Sequence, residues 1–376
     1  RYCLFALLQE HAHYMVFHSI KKRKWTKRTY TLFASLLISL VTLHEHPETI
    51  KSRLRPIEGR GTRHVAVLLS QRSSKGDPGG NSKVRSREEN QNNATEDDCW
   101  DAVLNRTLRV TRSDIPQVCN PDNPNAVLAC FCNPFIPLGA GTSGNNSWRT
   151  HHQRLSRLAA ECTTTDEGLD VLFLGDSITE RWSGTRNWGR RPLTANRDAF
   201  LQKFSKQHGG ELEGLAFGAT GDIVQHLHWH IRNGWLPPSL NPKVIWMLIG
   251  TNSYQHNCTE LPERVVTGIF EVVREIHRRK PRAAIVVQGL LPRGDTMGKL
   301  TLAKDWIRLQ ATNRRLEAIC EEIGSSKLHY FEVPPELFFT KNATHFINQT
   351  LLKDGVHPST AGYHMIGEAI EGEVTR

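Results

Sequence analysis

Between residues 147 and 376, five short apolar runs alternate with segments that have the spacing of amphipathic helices. The runs are rich in β-branched residues, Leu and Phe, which is typical of strands buried on both faces. This alternation predicts a parallel sheet covered by helices, because each parallel crossover needs a long connection. We therefore predict an α/β fold, a three-layer sandwich with a five-stranded parallel sheet. The predicted strands are 169–174, 213–218, 243–249, 283–289 and 327–333, and the predicted helices are 149–160, 195–207, 222–233, 261–280, 302–323 and 359–371.

Two short motifs carry the residues of nucleophilic catalysis. The first apolar run ends at Gly175-Asp176-Ser177, and Asp354 and His357 lie three residues apart before the last predicted helix. A serine hydroxyl is a weak nucleophile until a base takes its proton, and a third group best orients that base. We predict Ser177 as the nucleophile, His357 as the base and Asp354 as its orienting acid. The structural alternatives are a capped strand-to-helix turn at Ser177 and a capping Asp354 beside an exposed His357.

Two further loops offer hydrogen-bond donors for a developing oxyanion. Gly221 and Asn252 each follow a predicted strand, as Ser177 does, and ligands bind outside the carboxyl ends of such strands. A glycine lets a substrate approach a backbone N–H, and an Asn amide donates a second hydrogen bond. We predict an oxyanion hole formed by the Ser177 N–H, Gly221 and Asn252. The alternatives are an ordinary turn at Gly221 and a loop-capping amide at Asn252.

Four blocks in the right order resemble the signature blocks of the GDSL/SGNH hydrolase family. They are Gly175–Ile178, Phe217–Asp222, Gly250–Asn252 and Asp354–His357. Within that family the chain looks most like the catalytic subunits of the platelet-activating-factor acetylhydrolase type, over about residues 147–372. The resemblance implies a flavodoxin-like fold and hydrolysis of short-chain esters, acetyl esters above all, with no cofactor.

The likeness extends beyond the signature blocks but has departures. Trp148–His152 and Gly289–Gly294 also match the acetylhydrolase-type subunits. Ala216 stands where those relatives carry Asn, and Thr220 stands where they carry Gly. Either change could reshape the acyl pocket. The stretch 180–198 is longer than in those relatives, and we expect it either to wall the site or to form a solvated surface loop.

No metal site is predicted. On a helix His226 and His230 share a face while His228 points away, and Asp222 is the one carboxylate near enough to join them. A polar helix face is the favoured interpretation. A zinc site at Cys130-x-Cys132 lacks a second pair of ligands at useful spacing.

The N-terminal half has a different composition from the predicted catalytic domain. A basic run precedes the uncharged residues 29–43, the pattern of a signal peptide or signal anchor. Residues 1–98 hold 17 Lys and Arg against 10 Asp and Glu, so most of the net charge of +10 lies there, and nucleic-acid binding is not predicted. The predicted organisation is 1–28 basic cytoplasmic segment, 29–43 signal anchor or signal peptide, 44–98 disordered stem, 99–146 Cys-rich cap segment and 147–376 SGNH hydrolase domain.

Sequons and cysteines favour the secretory pathway, with the chain either a single-pass type II membrane protein or secreted. Five cysteines between 99 and 162 suggest a disulfide-tied, loop-rich cap, and seven cysteines beyond residue 98 predict one free thiol. The sequons begin at Asn93, Asn105, Asn145, Asn257, Asn342 and Asn348.

The predicted function is that of a serine esterase acting through an acyl-enzyme on Ser177. The expected partner is a small-molecule, lipid or glycan ester, and the oligomeric state is left open. Three alternatives remain: a glycan O-acetyl esterase, an O-acyltransferase of the secretory pathway, and a catalytically silent glycan-binding module.

Overall fold

The computed structural model describes residues 96–114, 127–139, 146–162, 168–256, 258–294, 306–340 and 343–375. The predictions for segments 1–28 and 29–43, and for nearly all of 44–98, lie outside these residues. All described residues belong to one of the two units into which the chain divides, His64–Arg376; the other, Arg1–Arg63, lies outside them. No helix in the described ranges has the length and apolar character needed to span a bilayer.

The main sheet contains the five predicted strands, all parallel, in the order β4-β1-β5-β6-β7. Taken along the chain this is the 2-1-3-4-5 order of flavodoxin-like sheets, so the predicted fold class is confirmed. Two short antiparallel pairs, β2 with β3 and β8 with β9, form separate two-stranded sheets. The described strands are β1 (Leu169–Gly175), β2 (Thr185–Arg186), β3 (Arg191–Pro192), β4 (Gly214–Gly218), β5 (Pro242–Leu248), β6 (Ala284–Gln288), β7 (Leu328–Phe331), β8 (Phe339–Thr340) and β9 (Ala343–Ile347).

Helices flank the sheet, and the six predicted ones are present with shifts of a few residues at their ends. The described α-helices are α1 (Glu96–Thr107), α2 (Val127–Phe131), α3 (Asn146–Glu161), α4 (Ser177–Trp182), α5 (Thr194–Phe204), α6 (Val224–His230), α7 (Leu261–Arg279), α8 (Trp306–Ile323) and α9 (Thr360–Val374). The predicted helix 222–233 is shorter because a π-helical turn with Gly234 at φ +125° follows His230. Helix α4 is the helix expected after Ser177, but its bounds were not predicted, since five of its six residues are buried and show no amphipathic period.

The Cys-rich segment packs into the same core as the sheet. Helix α1 contacts α8, and its Trp100 and Leu104 are almost fully buried. The Trp100 ring stacks on His277 of α7 with 4.1 Å between ring centroids. The described part of this segment therefore contains helices where the sequence predicted a loop-rich cap.

A disulfide joins this segment to the loop before α7. Cys132 and Cys258 are bonded, with 5.5 Å between their Cα atoms, and Cys130 is disulfide-bonded as well. Among the described residues Cys162 and Cys320 are free. The odd number of cysteines beyond residue 98 predicted one free thiol, and two are free among the described residues alone.

Candidate active site

The carboxyl ends of β1, β4 and β5 lie side by side, because Gly175 pairs with both Gly218 and Leu248. Only glycine fits at these ends. A Cβ on Gly175 would lie 2.3 Å from the Leu248 carbonyl oxygen, and one on Gly218 would lie 2.4 Å from the Asp176 carbonyl oxygen. The loops that follow the three strands therefore begin in direct backbone contact at one edge of the sheet.

Ser177 opens helix α4 directly after β1 and is 5% exposed. The cap of this helix is Asp176, whose Oδ1 accepts a hydrogen bond of 2.9 Å from the Ile178 N–H. Because Asp176 supplies the cap, the Ser177 hydroxyl is not needed for it and instead faces His357.

The side chains of Ser177, His357 and Asp354 form a continuous hydrogen-bonded chain. Ser177 Oγ lies 2.9 Å from His357 Nε2, and His357 Nδ1 lies 2.8 Å from Asp354 Oδ2. A neutral imidazole that donates from Nδ1 to the carboxylate accepts the serine proton at Nε2. The structure thus brings together the three residues to which the sequence assigns nucleophile, base and orienting acid.

The charge states of the pair suit that arrangement. Partial burial works to raise the pKa of Asp354, but hydrogen bonds from the His357 side chain and from the His357 and Val356 N–H groups outweigh it and hold that pKa well below its usual range. Burial lowers the pKa of His357 below its ordinary value, although Asp354 opposes the change. The base is therefore neutral, and the acid ionised, at neutral pH.

Asn252 links the two neighbouring loops. It lies in the 3₁₀ helix Thr251–Gln255 after β5, and its Nδ2 donates to the Asp222 carbonyl at 2.9 Å. Its contact with Asp176 Oδ2 is 3.5 Å, long for a hydrogen bond. Gly221 lies exposed in the turn after β4 with φ +82°. The described hydrogen bonds place Asn252 beside the peptide that follows Asp222 but do not join Gly221 to Ser177.

Two buried carboxylates lie beneath these loops. Asp176 and Asp222 are both fully buried, and burial raises the pKa of each to about 7. The Trp148 indole N–H donates to Asp222 Oδ1 at 2.8 Å, and His230 Nε2 lies 3.0 Å from Asp222 Oδ2. The Trp148 hydrogen bond to Asp222 thereby anchors the turn after β4 to helix α3.

Glu180 is a site residue that the sequence predictions missed. It is fully buried on α4, and Oε2 accepts from the Thr220 N–H at 2.7 Å while Oε1 accepts from the Gly189 N–H at 2.7 Å. The sequence does show a charged residue in the short stretch after Ser177. It does not indicate the partners of that residue, because they are distant along the chain. Glu180 ties the turn that carries Gly221 to the nucleophile's own helix.

Within the stretch 180–198, β2 and β3 form a hairpin, and its tip is bound to Thr220 in the block Phe217–Asp222. The Trp188 indole N–H donates to the Thr220 carbonyl at 2.9 Å, and the Asn187 N–H donates to Thr220 Oγ1 at 3.1 Å. Both tip residues have positive φ, uncommon for residues other than glycine. These contacts fit a wall beside the site better than a freely solvated loop.

Arg181 is the second missed residue. Its Nη1 lies 3.1 Å from Asp354 Oδ2, the same oxygen that accepts from His357. Like Glu180, it lies on α4 within five residues of the nucleophile. Asp354 is 173 residues away from Arg181 in sequence, so no local sequence pattern predicts this ion pair.

His226 and His230 of the His226-Leu-His-Trp-His stretch have aromatic and polar partners. His230 is fully buried, stacks on Trp235 with 3.8 Å between centroids, and lies 2.8 Å through Nδ1 from His152 Nδ1. Within the described ranges, no group of three or more His, Cys, Asp or Glu is arranged to hold a metal ion.

Replacing Asn252 tests the oxyanion assignment. We expect Asn252→Ala to lower kcat by about 10²–10³-fold, because loss of one oxyanion donor typically removes that much transition-state stabilisation. The control is Ser253→Ala, which removes a buried hydroxyl without a hydrogen-bond partner in the described structure from the same 3₁₀ helix. Equal kcat in Asn252→Ala and Ser253→Ala would remove Asn252 from the oxyanion hole.

Comparison with known proteins gives one family. Residues 173–365 match the family described as GDSL-like Lipase/Acylhydrolase. Among solved structures, a GDSL-like lipase from Bacteroides thetaiotaomicron is 18% identical with a TM-score of 0.45, and the match covers 60% of this chain and 98% of that one.

Two curated relatives are subunits of one enzyme. Platelet-activating factor acetylhydrolase IB subunit alpha2 of Rattus norvegicus is 34% identical over 152 residues, which cover 40% of this chain and 55% of the relative. Subunit alpha1 of Bos taurus is 27% identical over 235 residues, which cover 62% and 84%. The chain spans about half the length of the alpha2 subunit that it matches.

Proposed function

This chain belongs to the GDSL-like lipase/acylhydrolase family, and we propose that it is a serine esterase that hydrolyses short-chain carboxylic esters, acetyl esters above all. The observation that carries the proposal is the hydrogen-bonded chain from Ser177 through His357 to Asp354 at the carboxyl edge of the sheet. The preference for acetyl rests on the likeness to acetylhydrolase subunits.

In the acylation step, Ser177 Oγ attacks the ester carbonyl carbon while His357 Nε2 takes the serine proton. The carbonyl oxygen gains the negative charge, and the Ser177 and Gly221 N–H groups with the Asn252 amide donate to it. One Asn252 N–H is held by the Asp222 carbonyl, and the other, which has only the long 3.5 Å contact with Asp176 Oδ2, is assigned to the oxyanion. The C–O bond to the alcohol then breaks, and His357 returns its proton to the leaving alkoxide.

In the deacylation step, water attacks the acyl group on Ser177 with His357 again as the base. The acyl–Oγ bond breaks, the acid leaves, and Ser177 regains its proton from His357. Asp354 stays ionised throughout, because its hydrogen bonds hold its pKa well below the usual range. Apart from the ester and water, the steps use only Ser177, His357, Asp354 and the oxyanion donors.

A glycan O-acetyl esterase is the second candidate. The observation in its favour is Trp188, a partly buried indole whose N–H binds the Thr220 carbonyl next to Gly221. An aromatic face beside the turn that carries Gly221 suits a sugar ring, since an aromatic side chain offers a large apolar area with few rotatable bonds. Secretion or a type II anchor belongs to the same proposal and is supported by the sequons and the Cys132–Cys258 disulfide.

An acyl-length series tests the substrate class. We expect kcat/KM on p-nitrophenyl esters to be highest for acetate and to fall steadily towards octanoate. A rate that rises with chain length would contradict the short-acyl preference. Absence of hydrolysis in folded protein, with acyl transfer to an added sugar alcohol, would replace the esterase by an acyltransferase. Release of acetate from acetylated oligosaccharides, but not from an acetylated phospholipid, would favour the glycan substrate.

A further inference from the structure

The helix that carries the nucleophile also carries a cation bound to the triad acid. Arg181 follows Ser177 by four residues on α4, a spacing that places both on one face of a helix. Its Nη1 lies 3.1 Å from Asp354 Oδ2, and both side chains are largely buried, with 19% and 28% of their surface exposed. Partly buried ion pairs are screened less by salt than exposed ones.

We propose that Arg181 is a positioning residue that holds Asp354 in place for His357 and keeps His357 neutral, and so competent as a base, at mildly acidic pH. The inference rests on the proposed function, because it assigns Arg181 a part in the same Ser177–His357–Asp354 chemistry.

The first part of this role follows from how Asp354 is held. Oδ1 accepts from the Val356 and His357 N–H groups, at 3.1 and 2.8 Å, which fixes the carboxylate to its own loop. Oδ2 accepts from His357 Nδ1 at 2.8 Å and from Arg181 Nη1 at 3.1 Å. Arg181 is thus the one described donor to Asp354 from outside the Asp354–His357 loop, and it comes from the helix that begins with Ser177.

The second part follows from the charges around His357. A guanidinium stays protonated across the whole working range, so its effect on a neighbouring imidazole is constant with pH. A like charge nearby disfavours the charged form of a titrating group. The groups that face His357 or its partners come from four elements of the fold. Asp176, Ser177 and Arg181 lie at α4, and Arg293 follows β6. Asp354 lies in the same loop as His357, and Tyr363 lies on α9.

Two of these groups, Arg181 and Arg293, are cations, whereas one acid, Asp354, contacts the His357 ring. Burial lowers the pKa of His357 most, Asp354 opposes it through its hydrogen bond, and Arg181 and then Arg293 lower that pKa further. Arg181 also shares the Asp354 oxygen on which the imidazolium would depend. Removing the Arg181 charge therefore raises the pKa of His357, and the protonated, inactive form persists to higher pH.

The test is the acid limb of kcat/KM on p-nitrophenyl acetate. Arg181→Gln keeps a hydrogen-bond donor but removes the charge, and we expect it to move the acid limb to higher pH by about one unit. Arg181→Lys keeps the charge, and its limb should stay close to that of the wild type. Since the inference assigns Arg181 to Asp354 and not to the substrate, KM should be the same in all three. The control is Lys203→Met, which removes a comparably buried ion pair, with Glu371 at 2.7 Å, from helix α5.

Superimposed acid limbs for wild type and Arg181→Gln would overturn the inference, and so would an equal shift in Arg181→Gln and Arg181→Lys. A shift of the same size in Lys203→Met would assign the change to general destabilisation and would also overturn it.

A direct titration separates this inference from the proposed function. The His357 ring protons can be followed by NMR and identified by their absence in His357→Asn. In the wild type we expect a midpoint below about 6.5, the ordinary histidine value. In Arg181→Gln we expect a higher midpoint. This measurement needs no turnover, so an inactive protein with the expected shift would sink the esterase and leave the role of Arg181 standing. A wild-type midpoint at or above the ordinary value would contradict the inference even if Arg181→Gln did not fold.

Discussion

Ser177→Ala is expected to lose essentially all ester hydrolysis, with kcat lower by about 10⁴-fold or more. The reason is that Ser177 Oγ is the atom that forms the acyl-enzyme, and it is the hydroxyl 2.9 Å from His357 Nε2. The remaining rate should come only from the oxyanion donors and substrate binding. The measurement is the initial rate on p-nitrophenyl acetate, with thermal unfolding recorded for each variant.

The matched control for Ser177→Ala is Ser183→Ala, at the other end of α4. The Ser183 hydroxyl donates to the Glu180 carbonyl and has no described contact with His357. Ser183→Ala should therefore keep the wild-type rate. A Ser177→Ala protein that is folded and retains activity would show that another group is the nucleophile.

His357→Asn is expected to lower kcat by a similar factor, because Ser177 then has no base to accept its proton. Residues that act as one unit are not additive, so the Ser177→Ala/His357→Asn double variant should be no slower than the slower single variant. A double variant slower by the product of the two single effects would show that Ser177 and His357 act independently.

The pH dependence of wild-type activity is an independent test of His357 as the base. Burial lowers the pKa of His357, so the base becomes protonated only below the ordinary value of about 6.5. Activity should therefore fall as the pH drops through this lowered pKa. A profile that is flat down to strongly acidic pH would rule out His357 as the base.

Much of the fold could be predicted from sequence, since it depends on local pattern. Apolar runs such as 169–174 and 243–249 became the buried strands β1 and β5, and α7 differs from its prediction by one residue at its end. Helix α4 has no such pattern, because its side chains are buried on almost every side. Helix α1 was missed for a different reason: the cysteines and prolines around it indicated loops.

Some residues of the candidate site could likewise be predicted from local sequence patterns, and others could not. Ser177, Asp354 and His357 stand in short motifs, and their chemistry and spacing predicted one cluster. Glu180 and Arg181 gave no comparable signal, because each binds a partner that is close only in the folded chain. The role of Gly221 likewise depends on where its N–H points relative to a substrate, which spacing along the sequence does not encode.

The most direct test of the serine esterase proposal is covalent labelling by a fluorophosphonate. Such probes react with an activated serine, and intact mass followed by peptide mapping locates the adduct. The account predicts one adduct per chain on Ser177 in the wild type, none in Ser177→Ala, and strongly reduced labelling in His357→Asn. A folded wild-type protein that stays unlabelled, or one labelled at another residue, would contradict the assignment of Ser177 as an activated nucleophile.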